Sequence, residues 1–210
     1  MTTTSLPTLM QLAITLPAFL FSISFHEFCH ASAAYLLGDP TAKRMGRLTL
    51  NPLAHVDILG LAMLLLFRIG WARPVPFDAH YFTHPRLGTI ITALCGPLSN
   101  FFLAVAALVG LKVIMLAGGA STLAIALQLF FEALVYINLM LGIFNLLPLP
   151  PLDGSHLLMV TVGTYYPRLV VWIYRYAFFI LLFLFMLPQT RSLLTYAVLS
   201  VDAWLRSLIF

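Results

Sequence analysis

Long apolar stretches dominate this sequence of 210 residues and limit what the chain can fold into. A helix that crosses a bilayer needs about 20 predominantly apolar residues. Stretches of this kind cover residues 10–37, 87–116, 122–145, 169–187 and 193–210. Hydrophobic residues make up 61% of the chain and charged residues only 9%, which excludes an ordinary soluble domain. We therefore expect an all-α polytopic membrane protein with about five to six transmembrane helices.

A further apolar stretch, residues 58–67, is too short to span comfortably as a helix. Basic residues flank it on both sides, which would conflict with the usual cytoplasmic bias of positive charge if the stretch crossed the membrane. We therefore expect it to enter the membrane and return. Residues 47–50 and 70–77 are strand-like, so a small re-entrant β element is expected between the first two long spans. The N-terminus is expected outside, with five full crossings.

The net charge of +4 comes from eleven basic and seven acidic residues, without a basic run. We interpret the excess as loop charge that orients the chain in the bilayer, and expect no nucleic acid as a partner. Residues 1–7 carry no positive side chain and no cleavage site follows them, so the first stretch is expected to be a span and not a removable signal. Cys29 and Cys95 lie within apolar stretches and are expected to be packing residues.

The sequence F-H-E-F-C-H, at residues 25–30, places two histidines four positions apart within the first apolar stretch. On a helix, four steps of about 100° leave His26 and His30 about 40° apart, so both imidazoles can reach one zinc ion. Glu27 can act as the base that deprotonates the attacking water. The alternative is a pair of histidines on the polar face of a buried helix, which is costly in hydrocarbon unless it serves a purpose.

The sequence N-L-L-P-L-P-P-L-D-G, at residues 145–154, ends the 122–145 stretch. Its prolines cannot continue a helix, so Asp153 stands on an irregular segment at membrane depth. A carboxylate delivered in this way suits a third zinc ligand, which would complete a tetrahedral catalytic site with a water. Asp153 could equally cap a helix that begins at Gly154. The residues alone leave these two interpretations open.

Together, the two sequences resemble the signatures H-E-x-x-H and N-x-x-P-x-P-x-L-D-G of the site-2 protease family of intramembrane zinc metalloproteases. G-P-L-S-N at residues 96–100 and G-W-A-R-P-V-P-F at residues 70–77 are also similar to elements of that family. The resemblance implies a core of three spans and cleavage of other membrane proteins in or beside their own spans. It also implies one zinc ion per chain, bound by His26, His30 and Asp153, with Glu27 as the catalytic base.

The resemblance also sets the expected organisation and location. Residues 1–210 are expected to form a single membrane-embedded metalloprotease domain, with a catalytic core at about 10–156 and C-terminal spans at 157–210. This organisation is typical of a compact bacterial or archaeal-type member without a PDZ-like or nucleotide-sensing domain. The expected location is a prokaryotic cell (inner) membrane with the active site toward the cytoplasm. The expected partners are transmembrane protein substrates and the lipid bilayer.

Several other polar residues allow more than one role. Asn145 could bind the developing oxyanion or hold a substrate strand, or it could fix the proline segment. Asn100 is assigned to the same substrate or oxyanion role, although ordering of the zinc site and a small-residue helix contact around Gly96 are alternatives. His156 is more typical of an interfacial histidine than of a ligand. The loop histidines are expected to be solvated: His55, His80 and His84.

Glu132 is the main competitor for the third ligand, because zinc proteases of other families, such as the prenyl-protein membrane proteases, pair H-E-x-x-H with a distant Glu. It lies about four helical turns before the proline segment, too far along the axis to share a depth with His30, so Asp153 is favoured. A different class of function is a non-catalytic membrane scaffold or carrier of the same fold. Such a protein should have lost a ligand or the base, whereas all four residues are present here.

Overall fold

The computed structural model describes residues 8–67, 70–118 and 121–210, and this part of the chain is helical. Five of its helices are long and apolar enough to cross a membrane, which confirms the expected all-helical, multi-pass architecture. The α-helices of the described residues are α1 (Thr8–Leu36), α2 (Thr41–Arg44), α3 (Ile58–Phe67), α4 (Pro85–Leu116), α5 (Thr122–Asn145), α6 (Gly154–Thr161), α7 (Pro167–Met186) and α8 (Pro188–Ile209).

Helices α1, α4 and α5 pack side by side in alternating directions. His26 of α1 contacts Asn100 of α4, whereas His30, one turn later in α1, contacts Thr92, which lies earlier in α4. The two helices are therefore antiparallel. Asn100 also contacts Asn138 of α5, so the three helices meet at one level of the bundle. The end of the bundle where α1 and α5 stop and α4 begins is called the Asp153 end below.

The core between these helices and α8 is built from alanines and branched apolar side chains. Small residues allow helix backbones to approach closely, which is how helices associate in lipid. The buried members of this core are Ala18, Ala104, Ala107, Leu108, Leu134, Val135, Leu139, Val198 and Leu205.

Helix α1 ends where the sequence predicts a stop. Gly38 has a φ of 107°, a left-handed conformation that favours glycine, and the N–H of Asp39 bonds the carbonyl of Ala34 at 2.9 Å. The buried carboxylate of Asp39 then accepts hydrogen bonds from the N–H groups of Thr41 (2.8 Å) and Asp78 (2.6 Å). Asp39 therefore ties the segment that follows α3 to the end of α1.

The excursion around α3 begins and ends at the same place. Val56, before α3, forms an isolated antiparallel bridge with Ala72, and the N–H of Arg73 donates to the carbonyl of His55 at 2.8 Å. Helix α3 has 10 residues and is about 15 Å long, half of the hydrocarbon thickness of about 30 Å. The excursion is therefore not an additional crossing.

The expected β element is not supported. Residues 8–67, 70–118 and 121–210 contain no strand, and the Val56–Ala72 pair is an isolated bridge. Residues 47–50 form a bend, and the guanidinium of Arg47 stabilises it by donating a hydrogen bond to the carbonyl of Ala54. Prolines at positions 74 and 76 remove two of the donors that a ladder needs. The strand-like alternation at residues 70–77 therefore belongs to an extended segment that packs on α1 through Val75.

Helix α7 contacts the bundle near the Asp153 end. The hydroxyl of Tyr174 lies 3.5 Å from Ser155 Oγ in α6, and the ring of Phe185 packs edge-on against Phe144 in α5, with centroids 5.4 Å apart. Ser155 and Phe144 stand close to the start of α6 and the end of α5, respectively. Because Phe185 lies at the end of α7, α8 also begins near the Asp153 end.

Helix α8 returns toward the opposite end of the bundle. Near the C-terminus of α8, the carbonyl of Ile209 accepts a hydrogen bond from Lys112 of α4 at 2.5 Å. Lys112 lies in the last two turns of α4, and α4 is antiparallel to α1. The start of α1 and the end of α8 therefore lie at the same end of the bundle, whereas five full crossings would have placed them at opposite ends.

Candidate metal centre

Helix α1 places the residues of the H-E-x-x-H sequence in the bundle interior. The exposed fractions of His26, Glu27 and His30 are 4%, 7% and 6%. The Nε2 atoms of His26 and His30 lie 3.0 Å apart, and the two rings meet edge-to-face with centroids 4.6 Å apart. The four-residue spacing on a helix therefore brings both imidazoles to one point.

Asp153 reaches the same point from the segment between α5 and α6. Its Oδ2 lies 3.2 Å from His26 Nε2, and its Oδ1 lies 3.3 Å from His30 Nε2. One ligand atom from each of the three residues lies within 4.8 Å of the other two. Asp153 stands at the N-cap position of α6, but within the described segment 121–210 its side chain makes no capping hydrogen bond. The structure therefore favours Asp153 as a member of the cluster with the two histidines over Asp153 as a helix cap.

Two glycines allow this close assembly. A Cβ atom at position 96 would lie 2.6 Å from His26 Cε1 and would overlap the His30 ring, so α4 can pass the histidines only with glycine there. A Cβ atom at position 154 would collide with the carbonyl groups of Leu146 and Leu147. Gly154 thus lets the chain fold back so that Asp153 faces α1.

Hydrogen bonds on the far side of each imidazole fix which nitrogen carries the proton. His30 Nδ1 lies 2.7 Å from the carbonyl of Thr92, and His26 Nδ1 lies 2.6 Å from Asn100 Oδ1. Both oxygens can only accept, so both Nδ1 atoms donate, and in the neutral rings both Nε2 atoms keep a lone pair. The two lone pairs face one another and the carboxylate of Asp153, an arrangement that is repulsive unless a cation lies between them.

These residues fit a zinc ion. Two imidazole nitrogens and a carboxylate oxygen with a fourth position for water form a donor set of catalytic zinc. Within the described part of the chain, Asp153 Oδ2 is buried and accepts no hydrogen bond, as expected of an atom reserved for a metal. The donor set and the free Oδ2 together make Asp153 available as the third ligand.

Glu27 is held by the segment between α3 and α4. Its Oε2 accepts a hydrogen bond from the backbone N–H of Val75 at 2.8 Å. Val75 and Ala42 form a small buried cluster with Ala31 of α1, and Leu48 packs against it. Val75 was not among the site residues expected from the sequence. The available signal was the P-V-P sequence at 74–76, in which only the central residue has an N–H to donate.

The two asparagines assigned to the substrate occupy different environments. Asn100 is fully buried, and its amide is shared between His26 and Asn138, to whose Oδ1 it donates at 2.8 Å. This placement favours ordering of the histidine over contact with a substrate. Asn145 is partly buried at the end of α5, and its Nδ2 donates to the carbonyl of Leu141 at 3.0 Å.

Glu132 does not reach the histidines. Its two carboxylate oxygens accept hydrogen bonds from Arg206 of α8 at 2.6 and 3.1 Å, and Arg206 also binds Asp202 one turn earlier in α8. The structure therefore places Glu132 beside Arg206 and not beside the two histidines. Its ion pair with Arg206 of the neighbouring helix accounts for a carboxylate within a span.

The remaining histidines differ in burial. His55 was expected to be solvated but is fully buried, because the loop folds around it and its Nε2 donates to the carbonyl of Thr49 at 2.8 Å. His80 and His84 are exposed, as expected. His156 is partly buried with its ring centroid 5.1 Å from that of Phe77, and burial lowers its pKa.

A multi-pass helical protein with this donor set beside an H-E-x-x-H glutamate has the architecture of a membrane zinc metalloprotease. Comparison with known proteins gives the family. The sequence profile of Peptidase family M50 matches residues 111–186, which include Asp153. "Putative zinc metalloprotease YwhC" of Bacillus subtilis (strain 168) is 41% identical over 180 residues, which cover 84% of this chain and 80% of YwhC. The chain therefore belongs to the site-2 protease family, peptidase family M50.

Mycobacterial proteins named Rip2, which carry the same metalloprotease designation, are more distant. The Mycolicibacterium smegmatis protein is 31% identical over 150 residues, which cover 67% of this chain and 54% of that protein. The Mycobacterium tuberculosis (H37Rv) protein is 29% identical over 186 residues, which cover 85% of this chain and 69% of that protein. No solved structure matches this chain. The family and the apolar helices together define a multi-pass membrane protease.

Proposed function

We propose that this protein is an intramembrane zinc endopeptidase that cuts other membrane proteins in or near their transmembrane segments. The observation that carries the proposal is the depth of the two histidines. His26 and His30 lie in the second half of α1, about 9 to 15 Å from its end, which is within hydrocarbon if α1 crosses the bilayer. A peptide bond cleaved at that depth belongs to a segment that is itself in the membrane.

His26, His30 and Asp153 would hold one zinc ion per chain. When bound there, zinc would supply Lewis-acid polarisation of the scissile carbonyl and activation of the attacking water. Thr92 and Asn100 orient the two imidazoles through their Nδ1 atoms, which raises the basicity of the opposite nitrogens. The complete set of ligands and base supports an enzyme and weighs against the scaffold alternative.

Glu27 is the general base in this proposal. Its carboxylate would take the proton of the attacking water and deliver it to the leaving amine. The N–H of Val75 holds one carboxylate oxygen, so the base needs little reorganisation when a substrate arrives. Residues of the catalytic core, at about 10–156, supply each of these groups, and residues 157–210 pack around it.

The charge distribution supports an active site toward the cytoplasm of a prokaryotic cell membrane. Lys43, Arg44 and Arg73 lie in segments attached to the Asp153 end, and Arg86 lies at the start of α4. Positive charge next to membrane spans favours the cytoplasmic side. In this orientation, the excursion around α3 dips into the bilayer from the cytoplasm and returns.

A helical substrate must unwind before it is cut, because its carbonyls are engaged in i to i−4 hydrogen bonds. The substrate would reach the site from the surrounding lipid in an extended form. Asn145 stands at the end of α5 close to the proline segment, where its amide could pair with the freed substrate backbone. Transmembrane proteins and the bilayer are therefore the partners that the proposal requires.

The proposal is tested with purified protein in lipid vesicles and a synthetic peptide with one hydrophobic span, labelled at both ends. We expect cleavage within or next to the span, loss of cleavage with a zinc chelator and recovery when zinc is returned, with products located by mass spectrometry. A second peptide carries the same scissile residues in a water-soluble sequence. Preferential cleavage of the soluble peptide, or cleavage that resists chelation, would contradict the proposal.

A further inference from the structure

Four buried polar side chains form a continuous hydrogen-bonded line from Ser22 of α1, through α5 and α4, to His26. Ser22 of α1, Asn138 of α5 and Asn100 of α4 are fully buried. Asn138 Nδ2 lies 2.8 Å from Ser22 Oγ, Asn100 Nδ2 lies 2.8 Å from Asn138 Oδ1, and Asn100 Oδ1 lies 2.6 Å from His26 Nδ1. The three helices of the catalytic core thus meet in one hydrogen-bonded chain.

The direction of this chain is set by a backbone carbonyl. Asn138 Nδ2 also lies 2.9 Å from the carbonyl of Leu134, which can only accept. That side of the Asn138 amide must therefore be the NH₂ group, so its oxygen faces Asn100. Asn100 in turn must present its NH₂ group to Asn138 and its oxygen to His26. An oxygen at that place requires a proton on His26 Nδ1 and leaves the Nε2 lone pair free.

We infer that Asn138 is a positioning residue that selects the metal-binding tautomer of His26 through Asn100. This inference rests on the proposed zinc site, and it adds a function for a residue that neither touches the histidine nor belongs to either signature sequence. Without Asn138, the Asn100 amide can rotate by 180° and present its NH₂ group to His26 Nδ1. The proton of the imidazole would then lie on Nε2, the atom that faces Asp153 and the metal.

The test measures zinc affinity of the purified full chain by competition with a chelator. Asn138→Ala should weaken zinc binding about 10- to 100-fold, because a rotated Asn100 amide no longer accepts from His26, and loss of such a partner usually costs that much. Asn138→Asp keeps an oxygen toward Asn100 in either protonation state and should stay within about threefold of wild type. Leu139→Ala is the matched control, because it removes a fully buried neighbour that forms no part of the chain. It should lower Tm and leave the affinity unchanged.

A second background separates orientation from packing. In Asn100→Asp, both carboxylate oxygens accept, so nothing has to be oriented by residue 138. Adding Asn138→Ala to Asn100→Asp should therefore cost less than about threefold in zinc affinity, and the double-mutant cycle should be strongly non-additive. Equal losses in both backgrounds, or an Asn138→Asp protein as weak as Asn138→Ala, would overturn the inference. Wild type that binds zinc, together with a His30→Ala variant that does not, tests the proposed site separately. Wild type without zinc affinity would overturn both.

Discussion

The backbone N–H of Val75 donates to Glu27 Oε2 at 2.8 Å, although the two residues are 48 positions apart. Pro74 and Pro76 cannot donate, so Val75 provides the hydrogen-bond donor of this short stretch, and it is used on the base. The segment between α3 and α4 is therefore part of the site and not only a connection. Because the contact comes from the backbone, it depends on the N–H at position 75 and on the placement of the segment.

The first prediction concerns this contact. Val75→Pro removes the N–H and should lower cleavage roughly 10- to 100-fold, since a hydrogen bond to a charged group contributes about 1.5–3 kcal/mol. Zinc content should not change, because no ligand is altered. Val75→Ala is the control that keeps the donor while shortening the side chain, and its cleavage rate should stay closer to wild type. Equal losses in the two variants would show that the segment acts only by packing.

The second prediction separates metal binding from chemistry. Glu27→Gln removes the proton acceptor but no ligand, so zinc content and substrate binding should be retained. Cleavage should fall by about 10²- to 10⁴-fold, the usual contribution of a general base. The measurements are elemental analysis, co-purification of a labelled peptide, and product formation. A Glu27→Gln protein that cuts at a rate near wild type would refute the assigned mechanism.

The third prediction concerns the ligand set. His26→Ala, His30→Ala and Asp153→Ala should each lose most of the zinc that wild type binds at about one ion per chain. Glu132→Gln should retain zinc but lower Tm, because Arg206 loses a charged partner on α5. Metal content and thermal unfolding are measured on the same preparations. If Glu132→Gln empties the site while Asp153→Asn leaves it filled, the ligand set is wrong.

The fourth prediction uses the contact between Gly96 and the histidines. Gly96→Ala should displace one or both imidazoles and sharply reduce zinc affinity, because the added methyl group overlaps the His30 ring. Gly142→Ala is a matched change in α5, where the methyl group would meet Phe101 at 3.1 Å and not a ligand. That variant should keep its zinc. Affinities are compared by chelator competition, and a Gly96→Ala protein with wild-type affinity would show that the two helices lie further apart than described.

The fifth prediction concerns the direction of α8. Single cysteines at Ala117 and Phe210, in a background without Cys29 and Cys95, should react with an impermeant reagent from one side of the membrane. Cysteines at Thr41 and Asp78 should react from the other side. The basis is the contact of Lys112 with the carbonyl of Ile209, which places the end of α8 with the end of α4. Labelling of Phe210 from the same side as Thr41 would instead support five full crossings.

The sequence was most informative where chemistry and helical geometry coincide. The four-residue spacing predicted that His26 and His30 would face one point, and the prolines before Asp153 predicted a helix break there. Glu132 could be rejected as a ligand by its distance along α5 alone. The choice between capping and ligation by Asp153 could not be made from the residues. Both uses fit the same local backbone, and only the position of α1 decides between them.

Other features depend on contacts between distant segments and left no readable pattern. His55 looked like a loop histidine, but the bend at 47–50 closes over it and buries it. The strand-like alternation at 70–77 reflected packing of an extended segment on α1. The side on which α8 ends is set by contacts with α4 and α5, which the apolar lengths of the spans do not predict. The roles of Val75 and Asn138 follow from hydrogen bonds between residues far apart in the chain, and no sequence pattern predicts such contacts.

The ion cluster of Glu132, Asp202 and Arg206 has a consequence for how the protein is made. Helix α8 is the least apolar of the five long helices and carries two of these charges, whereas α5 carries the third. During synthesis α5 is inserted first, so Glu132 must wait in the membrane without its partner until α8 arrives. An isolated charge within a span is costly, and pairing removes much of that cost. A helix that leaves the ribosome after the catalytic core therefore supplies the ion-pair partner of a carboxylate in that core, and nascent chains that stop before α8 should be unstable in the membrane.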